Sequence, residues 1–371
     1  MTEQLHYPDS FLTFLEEESI DIQEFDVLLK LKRYIRIKEN SSVSKEDVER
    51  DLNTTIDTIS YLPNYYSLDS KKNIANSQLY KEGQIFGIDL ASGIAVYALD
   101  IHRDDHVLDL CCAPGAKLCY IADLQSKHEQ DFESTGTVTG VDVCAERMAN
   151  CKTFIKKYKL DKARLFVADG TKFDVHAPSR TGNSINLNYS EDLNVELIKT
   201  NEYLKPFHAT KKIRFDKQLK TANLLYDKVL CDVECTHEGS IAHIKKYFDR
   251  GWDSFEKKFL DKGRLAGLED LQRGLINNGF KLLKPGSKNT CSFSKKQNED
   301  IIVWFLKQHK DSAVIEPVPN IDKFPAAPNM FIQEFIAEFP TIKNVVRFTP
   351  KYSETSGLFI ARIKKTLRSP S

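Results

Sequence analysis

The stretch VLDLCCAPGAKL, residues 107–118, decides the fold. Its apolar start is typical of a buried strand, Pro114 and Gly115 break that strand, and residues 116–125 can form a helix. A strand, a turn and a helix start in this order bring backbone N–H groups to one point, which suits a nucleotide-like ligand at the carboxyl end of a parallel sheet. The stretch lacks GxGxxG and Asp109 ends the strand, so we expect a ligand with amino or hydroxyl donors rather than a pyrophosphate.

Composition sets broad limits on the class of protein. The 371 residues are enough for several domains, and 41% hydrophobic with 29% charged residues is ordinary for a soluble globular enzyme. The formal net charge is zero, so any nucleic-acid surface must be local. We expect no membrane span and no secretory signal. The eight cysteines lack a small-domain disulfide spacing, which predicts reduced thiols in the cytosol or nucleus.

The pattern of elements predicts two domains. Residues 1–75 have the spacing of a small, mainly helical α+β domain with one short strand at YIRIKEN, and either a packing role or an RNA contact fits it. Residues 76–371 alternate between strands and helices, which predicts a Rossmann-like, parallel-rich α/β sheet with helices on both faces. The predicted strands lie at 107–110, 138–143, 164–167 and 227–232, and the helices between them at 117–124 and 145–159.

Residues 175–222 interrupt this alternation. They are rich in Asn, Ser, Thr and Lys, and a loop of this length is uncommon in a compact domain, so we predict a partly disordered, flexible insertion. Its second half places Phe207 and Phe215 among basic residues, namely Lys205, Lys211, Lys212, Arg214, Lys217 and Lys220. A phosphate-backbone contact and a plain solvated charge run both fit this pattern. Beyond the insertion we predict helices near 240–248, 253–261, 267–283, 297–309 and 329–338, and strands at 313–318, 344–350 and 357–365.

Acidic residues follow several of the predicted strands. Asp109, Asp142 and Asp169 lie at or just after three successive strand ends. The spacing from Gly115 to Asp142 is similar to that of the acid that holds a ribose hydroxyl in doubly wound sheets, and Asp169 could meet an adenine amino group. Three acids in series after the strand–turn–helix stretch favour a nucleotide-like ligand over simple turn formation.

Two cysteines lie at further strand ends. Asp232 ends the fourth strand and Cys235 follows it by three residues, while Cys291 follows another predicted strand position. A buried cysteine is usually a small hydrophobic residue. That interpretation fits Cys235 and Cys291 less well than the other cysteines, because polar turn residues surround both. The cysteines that it does fit are Cys119, Cys144 and Cys151.

Six stretches in order resemble the motifs of a known family. They are DLCCAPGAK, VTGVDVCAER, VADG, YDKVLCDVEC, the block LQRGLINNGFKLLKPG with TCSFSKKQNED, and GLFIARIKK. The chain resembles the Nol/Nop/Sun (NSUN/RsmB-type) family of RNA cytosine-5 methyltransferases from about residue 77 to residue 365, outside the insertion. The resemblance implies S-adenosylmethionine as cofactor and RNA, either rRNA or tRNA, as partner. We expect no metal, no membrane partner, a monomer, and an intracellular protein of the nucleus, nucleolus or cytoplasm.

The resemblance also implies roles for individual residues. Cys291 would be the nucleophile and Cys235 the second cysteine, which releases the product. Lys117 and Asp232 would face the target base. The residues implied to line the cofactor site are Cys111, Cys112, Ala113, Pro114, Gly115, Ala116, Lys117, Asp142, Arg147, Asp169 and Asp232.

The implied chemistry explains these residue types. C5 of cytosine is a poor nucleophile, and a thiolate that adds at C6 makes C5 enamine-like. Cysteine suits this step when its surroundings lower its pKa. Protonation or hydrogen bonding at N3 by Asp232 would stabilise the adduct, and Cys235 would take the C5 proton so that Cys291 can leave. The base must be single-stranded or flipped to reach the site.

Two departures from the family pattern affect the cysteines. Glu234 replaces the proline before Cys235, and a carboxylate there should raise the thiol pKa. About three residues are missing between the KPG turn and Thr290, and an odd deletion in a strand changes the face that later side chains meet. The alternatives are a non-catalytic RNA-binding or ribosome-assembly protein with the same fold, and a methyltransferase of proteins or small molecules.

Overall fold

The computed structural model describes residues 7–30, 32–126, 134–178, 204–214, 225–236, 238–252, 255, 262–284, 288–290 and 294–366. The chain begins with helix α1 (Asp9–Glu17) and a 3₁₀ helix at Ile22–Lys30. It continues with β1 (Lys32–Ile37), α2 (Lys45–Leu52), β2 (Asp57–Thr58), β3 (Tyr65–Asp69), a 3₁₀ turn at Ile74–Asn76, α3 (Gln78–Lys81) and β4 (Ile85–Gly87). The sequence marks the start of α2 clearly, because Ser44 and Asp47 form a capping box.

The N-terminal strands form an antiparallel sheet in the order β2-β3-β1-β4. The segment is mainly helical α+β as predicted, but the prediction of one short strand missed β2 and β3. Strands this short show too little alternation of apolar and polar residues to be recognised from the sequence. Strand β4 pairs with β1 although it lies beyond residue 75, so this sheet extends past the predicted boundary. The division into two domains stays a prediction.

The central sheet has the predicted α/β alternation. Helix α4 (Leu90–Tyr97) precedes β5 (His106–Asp109), α5 (Ala116–Gln125), β6 (Thr137–Asp142), α6 (Ala145–Lys157) and β7 (Ala163–Val167). After them come β8 (His208–Ala209), α7 (Lys211–Arg214) and β9 (Lys228–Leu230). The strand order is β8-β7-β6-β5-β9, in which β5, β6, β7 and β9 are parallel and β8 is antiparallel to β7.

The predicted insertion at 175–222 is partly ordered. Strand β8 lies within it and adds an edge strand to the central sheet, and α7 follows directly. The flexible, partly disordered insertion stays a prediction, which did not include the strand and helix at residues 208–214. A two-residue strand gives no periodic signal, because its pairing with β7 depends on a partner more than forty residues away in sequence. Residues 179–203 and 215–222 of the segment lie outside the described residues.

The C-terminal elements extend the fold beside β9. They are α8 (Ile241–Arg250), α9 (Lys262–Leu282), β10 (Lys288–Thr290), α10 (Glu299–Gln308), β11 (Ala313–Glu316), β12 (Val346–Phe348), α11 (Pro350–Ser353) and β13 (Leu358–Lys365). Strand β13 pairs antiparallel with β10, β11 and β12, and β10 lies next to β9. The predicted helix near 329–338 is a 3₁₀ helix at Met330–Phe335 instead, with the Asn329 side chain accepting the N–H of Phe331 at its start. The predicted helix at 253–261 lies outside the described residues except for Phe255.

Two apolar cores cover the two faces of the central sheet. Val107 packs in one core and Leu108 in the other, as expected for neighbours on a strand. Helices α4, α5 and α6 contribute to the first core, and α9 and α10 to the second. The predicted arrangement of helices on both faces is thus confirmed. No helix in the described ranges has the length and apolar character needed to cross a membrane.

A buried ion pair attaches the N-terminal sheet to α5. The guanidinium of Arg36 on β1 donates to Asp123 Oδ2 over 2.5 Å and to Glu39 Oε1 over 3.0 Å. Its carbon also lies 4.1 Å from the centre of the Tyr120 ring. Arg36 and Asp123 are fully buried, so β1 holds the same helix whose first turn borders the candidate site.

Candidate active site

The loop between β5 and α5 is fixed by contacts with the end of β6. The N–H of Cys112 donates to the carbonyl of Val141 over 3.0 Å, and the N–H of Ala113 donates to Asp142 Oδ2 over 3.2 Å. Gly115 has φ +110°, and a Cβ there would lie 3.1 Å from Cys151 Cα. Only glycine fits this position without strain or displacement, so the sequence dictates the tight turn into α5.

Asp142 organises the loops on both sides of β6. Its Oδ1 accepts the N–H of Cys144 over 3.0 Å while Oδ2 accepts that of Ala113. Arg147 Nη2 donates to the Ala113 carbonyl over 2.5 Å and lies 3.8 Å from Asp142 Oδ2. Each carboxylate oxygen has more than one lone pair, so Asp142 can still accept a hydroxyl of a ligand.

Val143 is a candidate site residue that the sequence motifs did not single out. It directly follows Asp142 and is 73% exposed, although the residues before it in β6 are buried. An exposed apolar side chain next to a carboxylate that could accept a ribose hydroxyl can pack against a planar ring of a ligand. The signal in the sequence is the apolar residue just past the strand end, which we counted as part of the strand.

Lys117 and Asp232 bring the first turn of α5 to the loop after β9. Lys117 Nζ donates to Asp232 Oδ2 over 2.5 Å, and both side chains are 18% exposed. This contact joins residues that are 115 positions apart in sequence. The prediction that these two residues face one site is therefore consistent with their contact, and their roles stay a proposal.

Asp109 lies behind this ion pair in a fully buried position. Burial, with a further contribution from the charge of Asp232, raises the pKa of Asp109 to about 7, while Lys117 acts in the opposite direction. Its Oδ1 accepts only a long hydrogen bond, 3.4 Å, from the N–H of Cys111, and Oδ2 has no hydrogen-bond partner among the described residues. The sheet edge therefore carries a carboxyl group that holds a proton near neutral pH.

The cysteines of the loop and α5 have different surroundings from Cys235. Burial raises the pKa of the Cys112 and Cys119 thiols, and Cys112 Sγ packs 3.5 Å from the sulfur of Met148. These two thiols therefore behave as small hydrophobic side chains. Cys235 is also fully buried, but it lies in the polar loop after Asp232. Cys291 lies outside the described residues.

Three further features that the sequence analysis singled out are Asp169, Glu234 and the shortened stretch before Thr290. Asp169 follows β7, is exposed, and accepts the N–H and the hydroxyl of Thr171 over 2.9 and 2.7 Å. The hydroxyl contact lowers the pKa of Asp169 most. Glu234 is exposed, so solvent screens its charge from Cys235. Strand β10 forms in spite of the shortened stretch before Thr290, pairing Thr290 with Phe359.

Two solved structures superpose on nearly the whole of this chain. A methyltransferase homolog protein from Pyrococcus horikoshii superposes with a TM-score of 0.61 at 21% identity, covering 97% of this chain and 100% of its own. NSun6 from Pyrococcus horikoshii with SFG gives a TM-score of 0.65 at 15% identity, covering 96% and 98% of the two chains. The predicted fold class, that of Rossmann-like S-adenosylmethionine-dependent methyltransferases, is confirmed.

The chain belongs to the family of 16S rRNA methyltransferases RsmB/F, whose model matches residues 96–185 and 195–364. This confirms the Nol/Nop/Sun resemblance and, at the level of the family, S-adenosylmethionine as the cofactor. The "Probable ribosomal RNA small subunit methyltransferase B" of Bacillus subtilis (strain 168) is 23% identical over 80% of this chain. The "Ribosomal RNA small subunit methyltransferase F" of Escherichia coli O9:H4 (strain HS) is 21% identical over 99%. The chain spans 51% and 65% of these two relatives.

Proposed function

We propose that the protein transfers a methyl group from S-adenosylmethionine to C5 of cytosine in RNA, through a covalent adduct between Cys291 and C6. The contact between Lys117 and Asp232 is the observation that carries this proposal. It joins a cation at the end of the proposed cofactor loop to a carboxylate, and Asp232 lies three residues before the buried Cys235. Methyl transfer to a less demanding atom would not need this cysteine.

The loop from Cys111 to Lys117 and the end of β6 would hold the cofactor. Asp142 would accept a ribose hydroxyl, Val143 would pack against the adenine ring, and Asp169 would accept the adenine amino group. Arg147 would keep Asp142 and the loop carbonyl in place. Bound there, S-adenosylmethionine supplies an electrophilic methyl group.

The remaining residues would act on the base. The Cys291 thiolate adds to C6, and Asp232, acting in its protonated form beside Lys117, donates a hydrogen bond to N3 as negative charge develops on the ring. C5 then takes the methyl group. Cys235 removes the C5 proton, the S–C6 bond breaks, and the Cys291 thiolate leaves. All four steps balance without a metal or a redox partner.

We propose rRNA rather than tRNA as the substrate, because the relatives are named for small-subunit ribosomal RNA. Such a substrate would place the protein inside the cell. A non-catalytic RNA-binding protein with this fold is the competing proposal. The exposed Lys205 and Lys211 lie beside edge strand β8, where an RNA backbone could pass.

Methylation of total cellular RNA tests the proposal. We expect label from methyl-labelled S-adenosylmethionine to appear in RNA and to be recovered as 5-methylcytidine after digestion. Lys117→Met should abolish most of the incorporation, while Lys45→Met, in the N-terminal α2, should not change it. Retained cofactor binding without label in RNA would favour the non-catalytic protein, and label in another nucleoside would refute the cytosine C5 assignment.

A further inference from the structure

The loop that carries Cys235 is held by a buried carboxyl group further along the same loop. Glu238 is fully buried, and its Oε2 accepts the hydroxyl of Thr236, the residue directly after Cys235. Thr236 is fully buried as well. An acid taken out of water is normally retained only where hydrogen bonds satisfy it, so its burial here indicates a specific task.

The second oxygen of Glu238 reaches a different part of the chain. Glu238 Oε1 accepts the backbone N–H of Ser294 over 3.2 Å. Ser294 lies three residues after Cys291 in sequence. One carboxyl group therefore connects the immediate neighbour of Cys235 with the segment that follows Cys291.

Two glutamines strengthen this connection. Gln297 Oε1 accepts the N–H of Thr236 over 3.2 Å, and Gln297 Nε2 donates to the Thr236 hydroxyl over 2.9 Å. On the other side of the loop, Gln272 of α9 donates to the carbonyl of Glu234 over 3.0 Å. The backbone on both sides of Cys235 is thus fixed, which explains how its thiol stays buried.

We infer that Glu238 is a positioning residue that sets the place of Cys235 relative to the segment after Cys291. Its carboxyl group touches neither the cofactor loop nor Asp232 in the contacts described above. It acts through Thr236, by fixing the backbone of the residue next to the thiol. The consequence for product release rests on the proposed function, in which Cys235 is the general base. A general base must be aligned with the proton that it removes.

The rate of alkylation of Cys235 tests whether Glu238 positions this residue, and it requires no measurement of methyl transfer. In native protein treated with iodoacetamide, we expect Glu238→Gln and Thr236→Val each to raise the modification rate of Cys235 about tenfold, because a lost buried hydrogen bond opens the loop locally. Cys119, buried in α5, is the internal reference and should not change. Thr236→Ser keeps the hydroxyl and should restore protection. Unchanged Cys235 modification in folded Glu238→Gln and Thr236→Val would refute the inference.

A matched control variant distinguishes a specific effect on the loop that carries Cys235 from a general loosening of the structure. Glu18 also binds Ser294, accepting its hydroxyl over 2.5 Å, and it binds Lys296 over 2.7 Å, but it makes no such contact with Thr236. Glu18→Gln should therefore leave the modification rate of Cys235 unchanged. An increase equal to that of Glu238→Gln would show a general loosening and would contradict a specific role for Glu238.

Covalent RNA complexes give the second readout. We expect Glu238→Gln, incubated with S-adenosylmethionine and total cellular RNA, to accumulate about tenfold more RNA-linked protein than the wild type, because misalignment slows proton removal. Complexes with Cys235→Ala but not with Glu238→Gln would refute the role in release. No complexes with either variant would count against the proposed function instead, and the alkylation result alone would then decide the inference.

Discussion

Lys117 and Asp232 form an ion pair over 2.5 Å that joins the start of α5 to the loop after β9. The pair is largely shielded from solvent, and the buried carboxyl of Asp109 adds a second acid close to it. The edge of the sheet therefore combines the loop proposed to bind the cofactor with a charged pair that, in the proposed function, would stabilise a changing charge on the base.

Asp232→Asn should lower the rate of methyl transfer by about 100-fold, because general acid catalysis or hydrogen bonding at N3 contributes about that much. The amide keeps the size of the side chain, so we expect a much smaller change in cofactor affinity. Single-turnover methylation and calorimetric titration with S-adenosylmethionine measure the two effects. An unchanged rate would show that Asp232 does not act on the base.

Asp109 should make stability depend on pH. Its pKa is about 7 in the folded protein against an ordinary value of 3.8, so the unfolded chain loses this proton first as pH rises. Stability contributed by the protonated form is present below the ordinary pKa and is lost on the way to pH 7. Asp109→Asn has no carboxyl group to titrate and does not show this loss. The free energy of unfolding of the variant, relative to that of the wild type, should therefore rise by about 2 kcal/mol from about pH 5 to about pH 8.

Urea unfolding of both proteins at the two pH values checks this difference. The comparison cancels the titration of other groups to first order, since only one residue differs. A difference in free energy of unfolding that is the same at both pH values would show that Asp109 titrates normally.

Gly115→Ala should weaken both folding and cofactor binding. A positive φ of 110° and a Cβ 3.1 Å from the backbone of Cys151 make any side chain costly, and we expect a loss of about 1–3 kcal/mol. Gly267→Ala is the matched control, because the exposed Gly267 in α9 has open space around its Cβ position. Equal stability of the two variants would contradict the strain at Gly115.

The buried ion pair of Arg36 and Asp123 should contribute more to the free energy of unfolding than an exposed ion pair does. Arg36→Met leaves Asp123 without its cation in a buried position, and we expect a loss of about 3–5 kcal/mol in the free energy of unfolding. Arg50 pairs with Asp47 over 3.0 Å but is 76% exposed, so Arg50→Met should cost at most about 0.5 kcal/mol. Chemical unfolding of both variants tests this, and equal losses would show that the burial of the pair has no energetic weight.

The sequence predicted the central sheet well because its strands are short apolar runs between clear turn signals. Val107 to Gly115 and the acids at the strand ends follow directly from that pattern, and their loop contacts fit the prediction. The order of the motifs indicated the protein family, which the spacing of residues alone could not indicate. The role of each site residue stays a proposal.

Other features depend on contacts that no local pattern reveals. The edge strand β8, the pairing of β4 with β1 and the contact of Arg36 with Asp123 all join distant parts of the chain. Glu238 carries no signal of its own in sequence, where it is one polar residue in a polar turn. Its importance appears only when the two segments that it connects are seen together.

Covalent trapping tests the central claim most directly. Cys235→Ala is incubated with S-adenosylmethionine and total cellular RNA and separated on a denaturing gel. We predict a shifted band of RNA bonded to Cys291, absent from the Cys235→Ala, Cys291→Ala double variant, because product release needs the thiol that has been removed. Absence of the band, from protein shown separately to bind the cofactor, would contradict the covalent mechanism and favour a non-catalytic RNA-binding protein.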